Sequence, residues 1–236
     1  MVVKMKTENK AFNGFPEEMT KFLYELQFTN TVEKQEDNIV KYREYITNPL
    51  ITLYESLIPT VKAISSKLEA TPRRCLSTPY TDRRFSPNAP LKEYMYIRYR
   101  HACREEDCIG LYFDMGLSGY SFGMRIYDQT SNGMDVIRKK ILSHPEKFEE
   151  QLNILKDAGF IVLGDKYKRD HFPDVHNDML KEILNRKYFY ICKDLILNDK
   201  IYTSQLRDDI EEGFNQLKGL IQLLEDINND NTPSAL

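Results

Sequence analysis

Three stretches decide the fold: EYMYIRYRH at residues 93–101, IGLYFDMG at 109–116 and YSFGMRIY at 120–127. Each alternates with period two. In the first, Met95, Ile97 and Tyr99 share one face, and Tyr94, Tyr96, Arg98 and Arg100 share the other. In the second, Ile109, Leu111, Phe113 and Met115 oppose Tyr112 and Asp114. In the third, Tyr120, Phe122, Met124 and Ile126 oppose Ser121, Arg125 and Tyr127. Successive strand side chains point to opposite sides, so this alternation predicts antiparallel strands with one face on a core. Leu117-Ser118-Gly119 is a short hairpin connection, with Gly where a positive φ costs little. Residues 104–107 make a charged turn between the first two strands.

Helical patterns flank these strands. Pro16, Glu17 and Glu18 start a helix, and Met19, Phe22, Leu23 and Leu26 follow at i, i+3, i+4, i+7. A second helix is predicted over 32–46, with Val32, Ile39, Tyr42 and Ile46 on one side. Asn48 and Pro49 read as N-cap and first position of a third helix, whose apolar positions run from Leu50 to Leu68. Pro59 inside that run removes a backbone donor and predicts a kink or a split. Residues 71–90, broken by Pro72, Pro79, Pro87 and Pro90, read as a long loop. Beyond the strands, helices are predicted over 131–144 and 145–158, the second stopped by Gly159. A short strand over 160–163, a helix over 175–186 capped by Asp174, a strand over 188–192 and a last helix over about 203–227 complete the chain. The class is therefore α+β: a mainly antiparallel sheet packed with N-terminal, middle and C-terminal helices. The reading is of a single domain over 1–236, with loose polar ends at about 1–10 and 228–236.

Composition narrows the function. Thirty-three Lys and Arg against thirty-six Asp and Glu leave a charge of −3, whereas nucleic-acid binders carry a basic excess. No apolar run reaches the length of a membrane span, and residues 1–10 do not resemble a signal peptide, so no membrane partner is expected and the cytoplasm is the default compartment. Four cysteines in a chain of this size are too few for a disulfide framework. Gly116, Gly119 and Gly123 lie in a hairpin and match neither a phosphate loop nor a dinucleotide fingerprint. No cofactor is expected.

Four clusters carry candidate chemistry. Asp82, Arg84 and Lys92, around the long loop, form either an anion site or an ion pair pinning the loop to the sheet. The second sheet face gathers Tyr96, Arg98, Arg100, Tyr112, Asp114, Arg125 and Tyr127. These residues make either a ligand site, through charge and stacking, or a solvated face with cross-strand pairs. Asp114 and Asp82 are two acids for four arginines once Arg84 joins, and the positive remainder favours a small anionic ligand. His101, Cys103 and Cys108, even with Cys75, lack the spacing of a structural zinc site and read as turn residues. Asp170, His171, Asp174, His176 and Asp178 are either a metal or acid–base cluster or helix-capping groups. The leading expectation is a small anionic ligand on the Arg/Tyr face, at Asp82, Arg84, Lys92, Arg98, Arg100, Asp114 and Arg125. One alternative is a hydrolase-like enzyme using Asp82 or the Asp170–His171 region. Another is a protein-interaction module without a small-molecule site.

Asp82-Arg83-Arg84-Phe85-Ser86 followed by Pro90-Leu91-Lys92 resembles the signature of a bacterial family, the domain of unknown function 2461 group. Three further stretches agree with it in order. They are Phe12-Asn13-Gly14-Phe15 leading into the first helix, residues 110–127 leading into Ile137-Arg138 and Ile141, and Asp170-His171 with Pro173. The chain departs from the pattern at Thr81, Ala89 and Leu91, and has Lys34-Gln35 where the family has Trp-Phe. The resemblance implies no activity. It implies that Asp82, Arg84 and Lys92 are what this chain keeps of any site the signature forms.

Overall fold

The computed structural model describes residues 11–81, 89–101, 109–126 and 131–226. Its centre is a five-stranded sheet: β1 (Tyr94–Arg100), β2 (Ile109–Gly116), β3 (Gly119–Ile126), β4 (Ile161–Leu163) and β5 (Tyr190–Leu195). The strand order is β1-β2-β3-β5-β4 and every neighbouring pair is antiparallel. The alternation read from the sequence holds, for Met95, Ile97, Tyr99, Leu111, Phe113, Phe122 and Met124 are all buried. At the hairpin, Gly119 has φ +154°, and a Cβ there would stand 2.4 Å from the carbonyl oxygen of Leu195. Glycine therefore both makes the turn and lets β5 close on the hairpin.

The helices are α1 (Glu18–Thr29), α2 (Gln35–Tyr42), α3 (Asn48–Ile64), α4 (Pro72–Cys75), α5 (Ser131–Ser143), α6 (Pro145–Asp157), α7 (Asp178–Leu184) and α8 (Gln205–Asp226). Helix α1 buries Met19, Phe22, Leu23 and Leu26, the stripe its spacing predicts. Helix α2 is shorter than expected, and Val32 is exposed. Asn48 is not an N-cap. It has helical φ and ψ, and its N–H bonds to the carbonyl of Arg43, five residues back. Residues Arg43–Thr47 form a π-helical turn that joins α2 to α3 without a break. Pro49 has no N–H to place, so it is tolerated where one helical hydrogen-bond pattern gives way to the other. Helix α3 is not split at Pro59; it continues to Ile64, with Leu57, Thr60 and Val61 buried on either side.

The described residues of the segment read as a long loop run along the sheet. They include α4, Leu76 bridges to Ile97, and Tyr80 bridges to Leu91. The outer edge of β1 is thereby paired over part of its length, which blunts an edge open to strand addition. Asp174 does not cap a helix. Helix α7 starts later, and the side chain of Asn177 caps it by accepting from the N–H of Leu180. Gly159 ends α6 with φ +85°, as its position predicts. Helices α3 and α8 pack on each other and on the apolar face of the sheet, and the buried side chains join in one hydrophobic cluster.

Candidate functional site

The opposite face of the sheet is ordered by register into rows. One row runs Tyr96, Asp114, Ser121, Asp194 across four strands. The next runs Arg98, Tyr112, Gly123, Cys192, and the one after it Arg100, Gly110, Arg125, Tyr190. On the other side of the first row come Tyr94, Gly116 and Gly119. The two glycines carry no side chain, and a cavity of about 460 Å³ opens at that end of the face. Arg98, Asp114, Ser121 and Asp194 contribute its polar lining, and Tyr94 and Ile196 its apolar rim. The volume is that of a small-molecule site.

Electrostatics sharpen the picture. The Arg98 guanidinium lies 3.8 Å from the ring centroid of Tyr96, and that of Arg125 lies 4.6 Å from the ring of Tyr190. Lys92 Nζ stands 5.5 Å from the same Tyr96 ring, and burial followed by repulsion from Arg98 pulls its pKa down. Burial pushes the Asp114 carboxyl up to about 6, against the pull of Arg98 and Arg125. Asp114 Oδ1 and Arg98 Nε are both buried, with no hydrogen-bond partner among the described residues. Beneath them Tyr112 is 3% exposed, its hydroxyl 2.9 Å from Ser121 Oγ and its ring edge-on to Tyr190. Burial raises the Cys192 thiol, so it is not a thiolate nucleophile at neutral pH.

Of the residues the sequence nominates, the structure brings together Lys92, Arg98, Asp114 and Arg125. Arg100 shares their face by register but is exposed at the strand end, where its charge is felt at Cys75. Asp82, Arg84 and Tyr127 lie outside the described residues. On this face Tyr112 and Cys192 are buried, Tyr96, Arg98, Asp114 and Arg125 are half-buried, and Tyr94, Arg100 and Asp194 are exposed. Sequence reasoning missed Tyr190, Cys192 and Asp194, which join the face through β5. Their own period-two spacing was the available signal.

The other clusters resolve differently. Asp170 is exposed and fully engaged. It pairs with Lys181 at 2.9 Å and accepts from the N–H of Phe172 and from Asn185 Nδ2. Those bonds, Lys181 first, hold its carboxyl down at about 2. The His171 ring packs on Tyr167, with centroids 4.8 Å apart. His101 is a core residue rather than a turn residue. Its Nε2 lies 2.8 Å from Glu225 Oε1, which also accepts from Ser65 Oγ at 2.7 Å. The Cys75 thiol is buried and donates to the Glu69 carbonyl, while Cys103 and Cys108 lie outside the described residues. Among the described residues, no group of three or more His, Cys, Asp or Glu could hold a metal ion, and no helix is long and apolar enough to cross a membrane.

No curated protein matches the sequence. A family model described as "Conserved hypothetical protein (DUF2461)" matches residues 18–223, from the start of α1 almost to the end of α8. That span includes every strand of the sheet, both faces of it and the 82–92 signature, and so the chain belongs to the DUF2461 family.

Proposed function

We propose that the polar sheet face binds a small molecule through an anionic group seated at Arg98. One observation carries this reading: Arg98 Nε is a buried charged donor that no acceptor meets among the described residues, in a residue that lines a cavity of ligand size. Leaving such a donor unmade costs about 1–3 kcal/mol, and an anion on the cavity side of the guanidinium would offset the charge that the fold leaves unpaired. The stack on Tyr96 holds the guanidinium in place, and Lys92 and Arg125 add positive charge beside it. Thermal unfolding with phosphate, sulfate and acetate tests it, because a ligand that binds only the native state raises the melting temperature. At least one of these anions is expected to raise it in the wild type, and Arg98→Ala is expected to abolish the shift. No shift in the wild type, or a shift that survives Arg98→Ala, refutes the reading.

A second, enzymatic reading has one observation in its favour. Asp114 lines the same cavity, and its carboxyl at about 6 is poised near neutral pH for general acid–base work. Its test is a screen of ester and phosphate-monoester hydrolysis. Turnover that disappears in Asp114→Asn supports it, and turnover unchanged by that substitution removes it.

A further inference from the structure

The cavity presents charge of both signs, and an anion alone uses only half of it. Asp114 and Asp194 lie in one row with Ser121 between them, so a group seated above Ser121 has a carboxylate on either side. Arg98 is the diagonal neighbour of Asp114 on the adjacent strand. Such diagonal positions stand roughly 7–8 Å apart, close enough for one compact ligand to touch both. The charges are complementary: among the described residues no acceptor meets Arg98 Nε and no donor meets Asp114 Oδ1, and the residues that carry this guanidinium and this carboxylate both line the cavity. A simple anion would pair with the guanidinium and leave the two carboxylates without a cation. A ligand with a cationic donor next to its anionic group satisfies both. The rim adds a third element, for Tyr94 is 50% exposed and Ile196 79%.

On the binding reading above, we infer that the cavity takes a zwitterion of the α-amino acid type, with its carboxylate at Arg98, its ammonium between Asp114 and Asp194, and an apolar side chain against Tyr94 and Ile196. The two poles of such a ligand are carried on one carbon, which suits a donor and an acceptor on neighbouring strands. The raised carboxyl of Asp114 agrees with this, because a cation brought beside it would replace the solvation that burial removes.

The test uses the full chain and calorimetric titration with each of the twenty L-amino acids. For the tightest of them, the des-amino carboxylate and the α-amide are titrated as well. An apolar amino acid is expected to bind, and both of its one-pole analogues to bind at least about tenfold more weakly, since each loses a charge-assisted hydrogen bond. Asp114→Asn should weaken the amino acid by about tenfold while leaving the des-amino carboxylate unchanged or tighter. Asp194→Asn, on the exposed rim, should act in the same direction and does not depend on the buried site folding unchanged. If the carboxylate binds as tightly as the amino acid, the zwitterion is wrong and the anion reading stands. If the amide binds as tightly, the anion reading itself is wrong. If none of them binds, both fail.

Discussion

Two buried carboxylates stand on opposite sides of one sheet and meet opposite fates. On the apolar side, Glu225 of α8 accepts from Ser65 Oγ at 2.7 Å and meets His101 Nε2 at 2.8 Å. Burial by itself would raise its pKa, but the bonds from His101 and Ser65 outweigh burial and hold it below the ordinary glutamate value. On the polar side, Asp114 has Arg98 and Arg125 near it, yet among the described residues no donor meets its Oδ1, and burial prevails. Charge at a distance compensates desolvation less than a hydrogen bond in contact does. A buried carboxylate whose bonds are made inside the protein ties elements together, here the ends of α3, β1 and α8. One whose bonds are left open keeps a desolvation cost that the fold does not offset.

The largest expected effect falls on the satisfied side. Glu225→Ala leaves Ser65 Oγ and His101 Nε2 buried without their shared acceptor, and should cost about 3 kcal/mol of unfolding free energy. Urea unfolding measures it directly. A loss well under 1 kcal/mol, on the order of an ordinary surface substitution, would show that this cluster is no more closed than the one around Asp114.

Asp114→Asn should act in the other direction. The folded carboxyl titrates near 6, above the ordinary aspartate value of 3.8. The native state thus holds its proton more tightly than the unfolded chain, and stability is lost as the pH rises through that interval. At pH 7 the native state carries a desolvated charge that the unfolded chain leaves in water. Removing the charge should stabilise the protein at pH 7 by something on the order of 2 kcal/mol, with almost no effect below pH 4. Unfolding both proteins at the two pH values checks the sign and its pH dependence together. Equal stability at pH 7 would mean that Asp114 is compensated after all, and the contrast with Glu225 would vanish.

How far each side was legible follows from the range of the interactions that make it. The period-two alternation of β1, β2 and β3 is local, so residues such as Ile97, Phe113 and Met124 could be placed in the core from spacing alone. The placing of β5 between β3 and β4 is not local. A strand read over 188–192 stops two residues short of Asp194, so the sequence pairs the arginines with Asp114 and Asp82 alone and leaves out the second carboxylate that lines the cavity. The same limit hid the cluster on the apolar side. His101 continues the inward parity of Met95, Ile97 and Tyr99, but Ser65 and Glu225 reach it from helices that only the tertiary fold brings there. The π-helical turn before Pro49 was masked by local chemistry, because Asn followed by Pro is also how a helix begins.

The smallest expected effect belongs to a third carboxylate, exposed rather than buried, which separates bonding from burial. Asp170 is held at about 2 by Lys181, by the N–H of Phe172 and by Asn185. Its folded pKa lies below the ordinary value of 3.8, so its contribution is present above that value and is lost as the pH falls towards 2. Asp170→Asn should therefore destabilise the protein slightly at pH 7, opposite in sign to Asp114→Asn. The deficit should shrink steadily as the solution is acidified below pH 4. The amide keeps an acceptor for Phe172 and gives up the ion pair to Lys181, a surface contact that salt screens. High salt should accordingly reduce the Asp170 effect and leave that of the buried Asp114 nearly intact. Melting curves of the two variants across pH and salt separate the cases. If Asp170→Asn stabilised the protein at pH 7, or if its effect were indifferent to acid, the bonds around Asp170 would not be what holds that loop. The region would then return as a candidate for acid–base chemistry alongside Asp114.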